Sequence, residues 1–242
     1  MLFHAGGHII GTVNLIGVLS MKNKKLATIV AVGLMAALCF VGNYLQIKIP
    51  NGVLITRIHF GNAVCLLAGL LFGGIPGGLA AGIGSGLYDL LDPVYIISAP
   101  FTFLSKFAMG FICGYLAKSR TRLKSETAHI ALSAILGQLA YIVLYVGRTY
   151  IVQRLVYMAA VETALTASAT NLLTSSINAV IAVAVSVPLY FALQRPLKAT
   201  YFRDMIEERR GKSLKWYAKL GIVAAFIAVC ALAIWIYVAN KI

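Results

Sequence analysis

A few side chains able to do chemistry stand within or beside long apolar runs: Arg57, His59, Asp89, Asp92, Lys106 and Glu162. Ionisable groups in hydrocarbon are costly, so each is a candidate for an ion pair or for a ligand site. Lys106 lies about two helical turns beyond Ala99–Pro100, a depth comparable with that of Asp89 at the far end of the glycine-rich run Gly61–Leu91. An ion pair between Lys106 and Asp89 is therefore expected, either simply neutralising two charges between helices or also holding a ligand. Asn171 and Asn178 are separated by two turns and share a helix face. Their amides either bond helix to helix, with Ser175 and Ser176, or meet a solute, and Asn171 is the favoured ligand contact. Tyr88, Tyr95, Tyr141 and Tyr145 stand near the same ends of their runs, as an interfacial belt or as the lining of a pocket for a flat ring.

Other chemistries lack their residues. Cys39, Cys65, Cys113 and Cys230 sit in four different apolar segments, with no metal-ligand spacing among themselves or to His4, His8, His59 and His129, so they read as small core residues and no metal is expected. Asp89 and Asp92, three apart, read as a helix-end cap or charge partners. An intramembrane enzyme would need a His-Glu-x-x-His run or facing aspartates, and neither is seen. The glycines of Gly73–Gly86 are followed by no Lys-Ser or Lys-Thr and preceded by no strand, which excludes a phosphate loop; Pro76 is expected to turn the chain there.

These residues must be positioned by membrane helices. The 242-residue chain is 60% hydrophobic and 12% charged, against roughly a quarter charged for soluble domains. Apolar segments recur at Leu26–Ile47, Ile58–Phe72, Gly77–Leu91, Ile96–Ala117, Ile130–Val146, Ala164–Leu193 and Leu220–Val238. Most approach the length that spans a hydrocarbon core of about 30 Å as a helix, and their continuity excludes a barrel of alternating strands. The fold class expected is an all-α membrane protein: a six-helix bundle over 21–197, a basic loop over 198–219 and a seventh helix over 220–242. Residues 1–20 read as an extension, with Met21 as the natural start before the basic run Lys22–Lys25.

The formal charge of +14 follows this topology. If odd-numbered spans run outward, fifteen Lys and Arg fall on one side, around Lys22–Lys25, Lys118–Lys124 and Arg195–Lys219, and five fall on the other: Lys48, Arg57, Arg148, Arg154 and Lys241. The positive-inside rule places the first group in the cytoplasm, with the bundle's N-terminus. The surplus serves orientation and contact with anionic lipid, and no nucleic-acid partner is expected.

Charges and amides converge on the outer end, which suits a pocket for a small solute better than a pore polar along its whole depth. No internal repeat or nucleotide loop supplies a motor, so energy for transport would come from a partner. Ala27 and Ala31, four apart on the first span, with Gly33 and Ala37 repeating the interval, allow close approach of another helix.

The segments PNGVLITRIHFGNAVCLLAGLLFGGIPGGLAAGIGSGLYDLL (Pro50–Leu91), SAPFTFLSKFAMGFICGYLA (Ser98–Ala117) and AAVETALTASATNLLTSSINAVIAVAVSVPLYFAL (Ala159–Leu193) resemble the substrate-binding S components of energy-coupling factor (ECF) vitamin transporters. The last departs from the family pattern, with Ser168-Ala169-Thr170 where a proline-glycine pair often precedes the Asn. The resemblance implies a non-enzymatic subunit of a bacterial plasma membrane that binds a water-soluble vitamin near its outer face. It also implies a transmembrane coupling subunit and two cytoplasmic ATPases as partners, which use the ATP, and no cofactor of the subunit's own. Carried over by position, it makes Arg57, His59, Asn62, Lys106 and Asn171 ligand contacts, with Tyr88, Asp89, Gln138 and Tyr145 beside them, and Ala27 and Ala31 the contact with the coupling subunit. Riboflavin is the first expectation for the ligand, with pantothenate, pyridoxine or another micronutrient as alternatives. An intramembrane enzyme and a structural subunit are the competing classes. The segment after the sixth helix departs from the family pattern.

Overall fold

The computed structural model describes residues 24–51, 54–93, 95–119, 125–207 and 221. The extension 1–20, the alternative start at Met21, most of the basic loop 198–219 and all but one residue of the seventh segment lie outside the described residues.

The described chain is helical apart from one hairpin. Helix α1 (Lys24–Tyr44) leads into strands β1 (Gln46–Asn51) and β2 (Leu54–His59), followed by α2 (Gly61–Phe72), α3 (Gly74–Leu91), α4 (Ala99–Lys118), α5 (Glu126–Ile151), α6 (Val161–Lys198) and a short α7 (Arg203–Glu207). α1, α4, α5 and α6 are long and apolar enough to cross a membrane. At 1.5 Å per residue, the 38 residues of α6 extend for about 57 Å, well beyond one hydrocarbon layer. The protein is thus a multi-pass helical membrane protein.

Helix α2 is the hub. It packs on α1, α3, α4, α5 and α6, and every residue of it except Val64 is buried. A helix that is apolar all round belongs in the middle of a bundle, and the sequence GNAVCLLAGLLF fits that place. Its crossing with α4 is close: a Cβ on Gly69 would lie 2.5 Å from the Gly110 carbonyl oxygen, and one on Gly110 would lie 2.7 Å from that of Gly77 in α3. Small residues are what permit this approach of backbones.

The structure corrects the expected second and third spans. Residues 58–60 do not begin a helix; the chain is extended through His59, and Gln46 pairs with His59 and Lys48 with Arg57 in an antiparallel register. Isoleucine and threonine alternating with polar residues favour a strand here. That alternation puts Arg57 and His59 inside, while Ile47 is 68% exposed. The turn between α2 and α3 is made by Gly73 at φ 87°, a left-handed conformation suited to glycine, not by Pro76. Pro76 lies in the first turn of α3, where a missing N–H costs nothing.

At the opposite end from the hairpin, α7 folds back under the bundle. Lys118 Nζ donates to the Ile206 carbonyl at 2.7 Å, and the Phe72 and Phe202 rings meet edge to face with centroids 5.6 Å apart. Part of the expected basic loop is therefore ordered and packed.

Candidate ligand-binding site

The site is built on the hairpin. β2 delivers Arg57 and His59 into the bundle, and Asn178 of α6 holds that strand with both ends of its amide. Its Oδ1 accepts from the His59 N–H at 3.0 Å and its Nδ2 donates to the Arg57 carbonyl at 2.8 Å. Further anchors come from α3 and the residue that follows it: Gln46 donates to the Tyr88 hydroxyl, and Lys48 pairs with Asp92 at 2.8 Å.

Arg57 determines which acid is paired. Its Nη2 lies 2.5 Å from Asp89 Oδ1, with the guanidinium over the Tyr95 ring at 4.2 Å and near that of Tyr88 at 5.2 Å. Burial of Arg57 opposes its charge, but Asp89 more than compensates and leaves its pKa raised. The expected Lys106–Asp89 pair is therefore not formed. Lys106, 1% exposed, instead donates to Asn62 Oδ1 and sits 4.4 Å over the Tyr141 ring. Asp89 lies closer to the hairpin arginine than a reading without the hairpin could foresee.

A face of α5 completes the wall. Gln138, Tyr141 and Tyr145 follow at three- and four-residue steps and so share a side of the helix. The two tyrosine rings stack with centroids 5.5 Å apart and an interplanar angle of 14°. Gln138 is 1% exposed, and neither its Oε1 nor its Nε2 has a hydrogen-bond partner. The same holds for Asn62 Nδ2, His59 Nδ1, Asp89 Oδ2 and Arg57 Nη1. Buried polar groups are nearly always paired, so this concentration of orphans makes this end of the bundle the candidate place for polar ligand atoms.

His59 is fully enclosed, and burial first, then the Lys106 and Arg57 cations, hold its pKa well below the usual range, so its imidazole is neutral. Tyr95 lies in the loop before α4, and burial pushes its phenol up to about 12, partly offset by Arg57. Both groups are hydrogen-bonding, not ionising, members of the site at neutral pH.

Thus Arg57, His59, Asn62, Tyr88, Asp89 and Lys106 come together, with Gln138 and Tyr145 on the α5 wall. Asn171 is buried and donates to Thr149 Oγ1 at 2.6 Å, a bond between α6 and α5. Ala27 and Ala31 are 4% and 0% exposed and lie on the inward stripe of α1 with Met35 and Cys39. Gly33 and Ala37 of the same helix are exposed. Tyr95 and Tyr141, which the sequence offers as either interfacial belt or pocket lining, and Asn178, which it offers as either interhelical or solute-facing, also lie at this end of the bundle. The four-residue step Tyr141–Tyr145 above Gln138 was the signal available for Tyr141. Asn178 had no such signal, because its role depends on the hairpin.

A cavity of about 280 Å³ opens at the α7 end and is lined by Lys118, Glu126, Tyr190, Gln194, Lys198 and Glu207. None of these residues carries an orphaned buried side-chain atom among those described. Among the described residues no three His, Cys, Asp or Glu side chains are grouped to hold a metal ion.

A membrane helix bundle with buried, unsatisfied hydrogen-bonding groups under a hairpin at one end is the described architecture, a multi-pass membrane protein with a candidate small-solute site. Residues 23–195 match the family model described as ECF-type riboflavin transporter, S component, and the chain belongs to that family. It is also 31% identical over 105 residues to a protein of Pyrococcus woesei described as an uncharacterized protein in gap 3'region, a match covering 43% of this chain and 67% of that one. No solved structure matches.

Proposed function

We propose that this subunit captures riboflavin at the hairpin end of the bundle and passes it to a transmembrane coupling subunit driven by two ATPases. The observation that carries this reading is the set of partnerless buried groups on Gln138, Asn62, His59, Asp89 and Arg57 beside the stacked Tyr141 and Tyr145. A flavin offers what such a set lacks, a flat ring for the tyrosines and an imide edge of carbonyl oxygens flanking an N–H. Lys106 and the amides of Asn62 and Gln138 supply donors and acceptors for that edge. In this reading the partnerless Arg57 Nη1 and Asp89 Oδ2 offer a donor and an acceptor to the ribityl hydroxyls. The basic surplus of the α7 end supports an orientation with that end in the cytoplasm and the ligand site facing out.

Pantothenate is the second reading, favoured by one feature: Lys106 faces a neutral amide and has a cation's demand for a carboxylate. The coupling subunit is proposed to approach α1. Because Ala27 and Ala31 are turned inward, the exposed interval Gly33–Ala37 is the surface that a partner helix would meet.

The test is direct titration of the detergent-purified protein, with riboflavin followed by quenching of flavin fluorescence and pantothenate by calorimetry. Saturable one-to-one quenching is expected with riboflavin and no heat with pantothenate. Binding of pantothenate alone would replace the first reading with the second.

A further inference from the structure

Cys39 on α1 and Cys65 on α2 are 26 positions apart in the chain, yet their Sγ atoms lie 3.6 Å from one another, and both residues are 0% exposed. We infer that Cys39 and Cys65 form a reactive dithiol, a site of reversible disulfide formation that pins the hairpin over the ligand site. The inference about ligand access rests on the hairpin end being that site; the covalent chemistry does not.

The surroundings of the pair are more polar than those of Cys113. Ser85 Oγ is 3.5 Å from Cys65 Sγ and accepts from Asn43 Nδ2 at 3.3 Å, so three helices contribute polar atoms around the sulfurs. Asn43 Oδ1 is buried and has no partner. Among the described residues, the Cys113 sulfur meets the Leu66 carbonyl at 3.7 Å. A bonded S–S distance is about 2.05 Å, so closing the pair requires an approach of about 1.5 Å, within reach of side-chain rotation and a small helix shift.

The location gives the bond its consequence. Cys39 lies one turn before Asn43 on α1, and Cys65 lies one turn after Gly61 and three residues after Asn62, whose Oδ1 accepts from Lys106. The segment between the two cysteines contains the whole hairpin, with Arg57 and His59. A covalent link therefore ties the hairpin's two roots together and fixes the turn that presents Asn62.

The oxidant is hydrogen peroxide. One thiol sulfur attacks a peroxide oxygen, giving a sulfenic acid and one water. The second thiol sulfur displaces the sulfenic hydroxyl, which leaves as a second water as the S–S bond forms. Two electrons pass from the sulfurs to the peroxide, and the two thiol hydrogens end in the waters. A dithiol reductant reverses the bond.

The experiment exposes the full-length protein in detergent to hydrogen peroxide and digests it under non-reducing conditions. Expected are a peptide joining Cys39 to Cys65, loss of two hydrogens in mass, reversal by dithiothreitol and no such peptide in Cys39→Ser or Cys65→Ser. Amide exchange of residues 46–59 should slow about fivefold in the oxidised form, and association of riboflavin about tenfold. Peroxide that oxidises methionine without joining the two cysteines would overturn the inference, as would a link that leaves exchange of the hairpin unchanged. Cys39→Ala and Cys65→Ala provide the comparison if the serine variants fold poorly. If the link forms and exchange slows but neither form binds riboflavin, the dithiol stands and the riboflavin reading fails.

Discussion

Arg57 and Asp89 meet at 2.5 Å with the carboxylate 1% and the guanidinium 9% exposed, so a strand of the hairpin and the end of α3 are joined by a buried ion pair. Removing one partner leaves the other charge without compensation. Breaking such a pair costs about 3–5 kcal/mol, much more than an exposed bridge. Asp89→Ala should lower the melting temperature of the detergent-purified protein markedly and weaken riboflavin binding. The exposed pair Arg203–Glu207, 3.2 Å apart on α7, is the control: Glu207→Ala should change neither measurably.

Lys106 is the side chain whose replacement best separates binding from folding. It is bonded to Asn62 and stands over Tyr141, so Lys106→Met keeps the stem and removes the charge and donors. A lost hydrogen bond from a charged group corresponds to about 1.5–3 kcal/mol, or roughly a 10- to 100-fold rise in Kd. Titration of riboflavin should show that rise while the melting temperature is unchanged or higher, because a buried cation is removed. Unchanged affinity would take Lys106 out of the ligand site.

The two asparagines of α6 should behave differently. Asn178 carries two bonds to β2, whereas Asn171 donates to Thr149 between helices. Asn178→Ala frees the hairpin and leaves the Arg57 carbonyl and His59 N–H unpaired, at about 1–3 kcal/mol for each buried group. Proteolysis and amide exchange within 46–59 should accelerate, with weaker binding. Asn171→Ala should cost about 0.6–2 kcal/mol of stability, as expected for a bond between membrane helices, and leave the exchange of 46–59 unaltered.

How far the sequence reveals this arrangement depends on the range of the interaction. Long apolar runs identify α1, α4, α5 and α6, because lipid requires internally bonded helices and gives each a recognisable length. The hairpin escaped because six-residue strands with isoleucine on one face carry little periodic signal beside an adjoining apolar helix. That single omission explains the wrong partner for Asp89, since the charges were matched helix to helix and Arg57 had no assigned depth. It also explains why the two bonds from Asn178 to β2 are not legible in the sequence. The inward turn of Ala27 and Ala31 has another cause: α1 buries positions 27, 31, 35, 39 and 43, and spacing alone cannot say which of two small-residue intervals faces the bundle. The thiol pair was invisible because Cys39 and Cys65 are distant in the chain and meet only where α1 crosses α2.

His59 makes the protein sensitive to acid. Burial and the neighbouring Lys106 and Arg57 cations keep its imidazole neutral in the folded protein well below the pH at which a free histidine takes up a proton. The unfolded chain protonates at about pH 6.5, so below that value it binds a proton that the native state does not. Stability is therefore fully present above about pH 6.5 and falls as the pH is lowered through it, by at most about 1.4 kcal/mol per pH unit from this one group. Thermal unfolding of the ligand-free protein between pH 7.5 and 5 should show this decline, and His59→Gln, which keeps a neutral hydrogen-bonding side chain, should flatten it. An equal decline in His59→Gln would place the acid sensitivity elsewhere and remove the neutral imidazole from the account of the site.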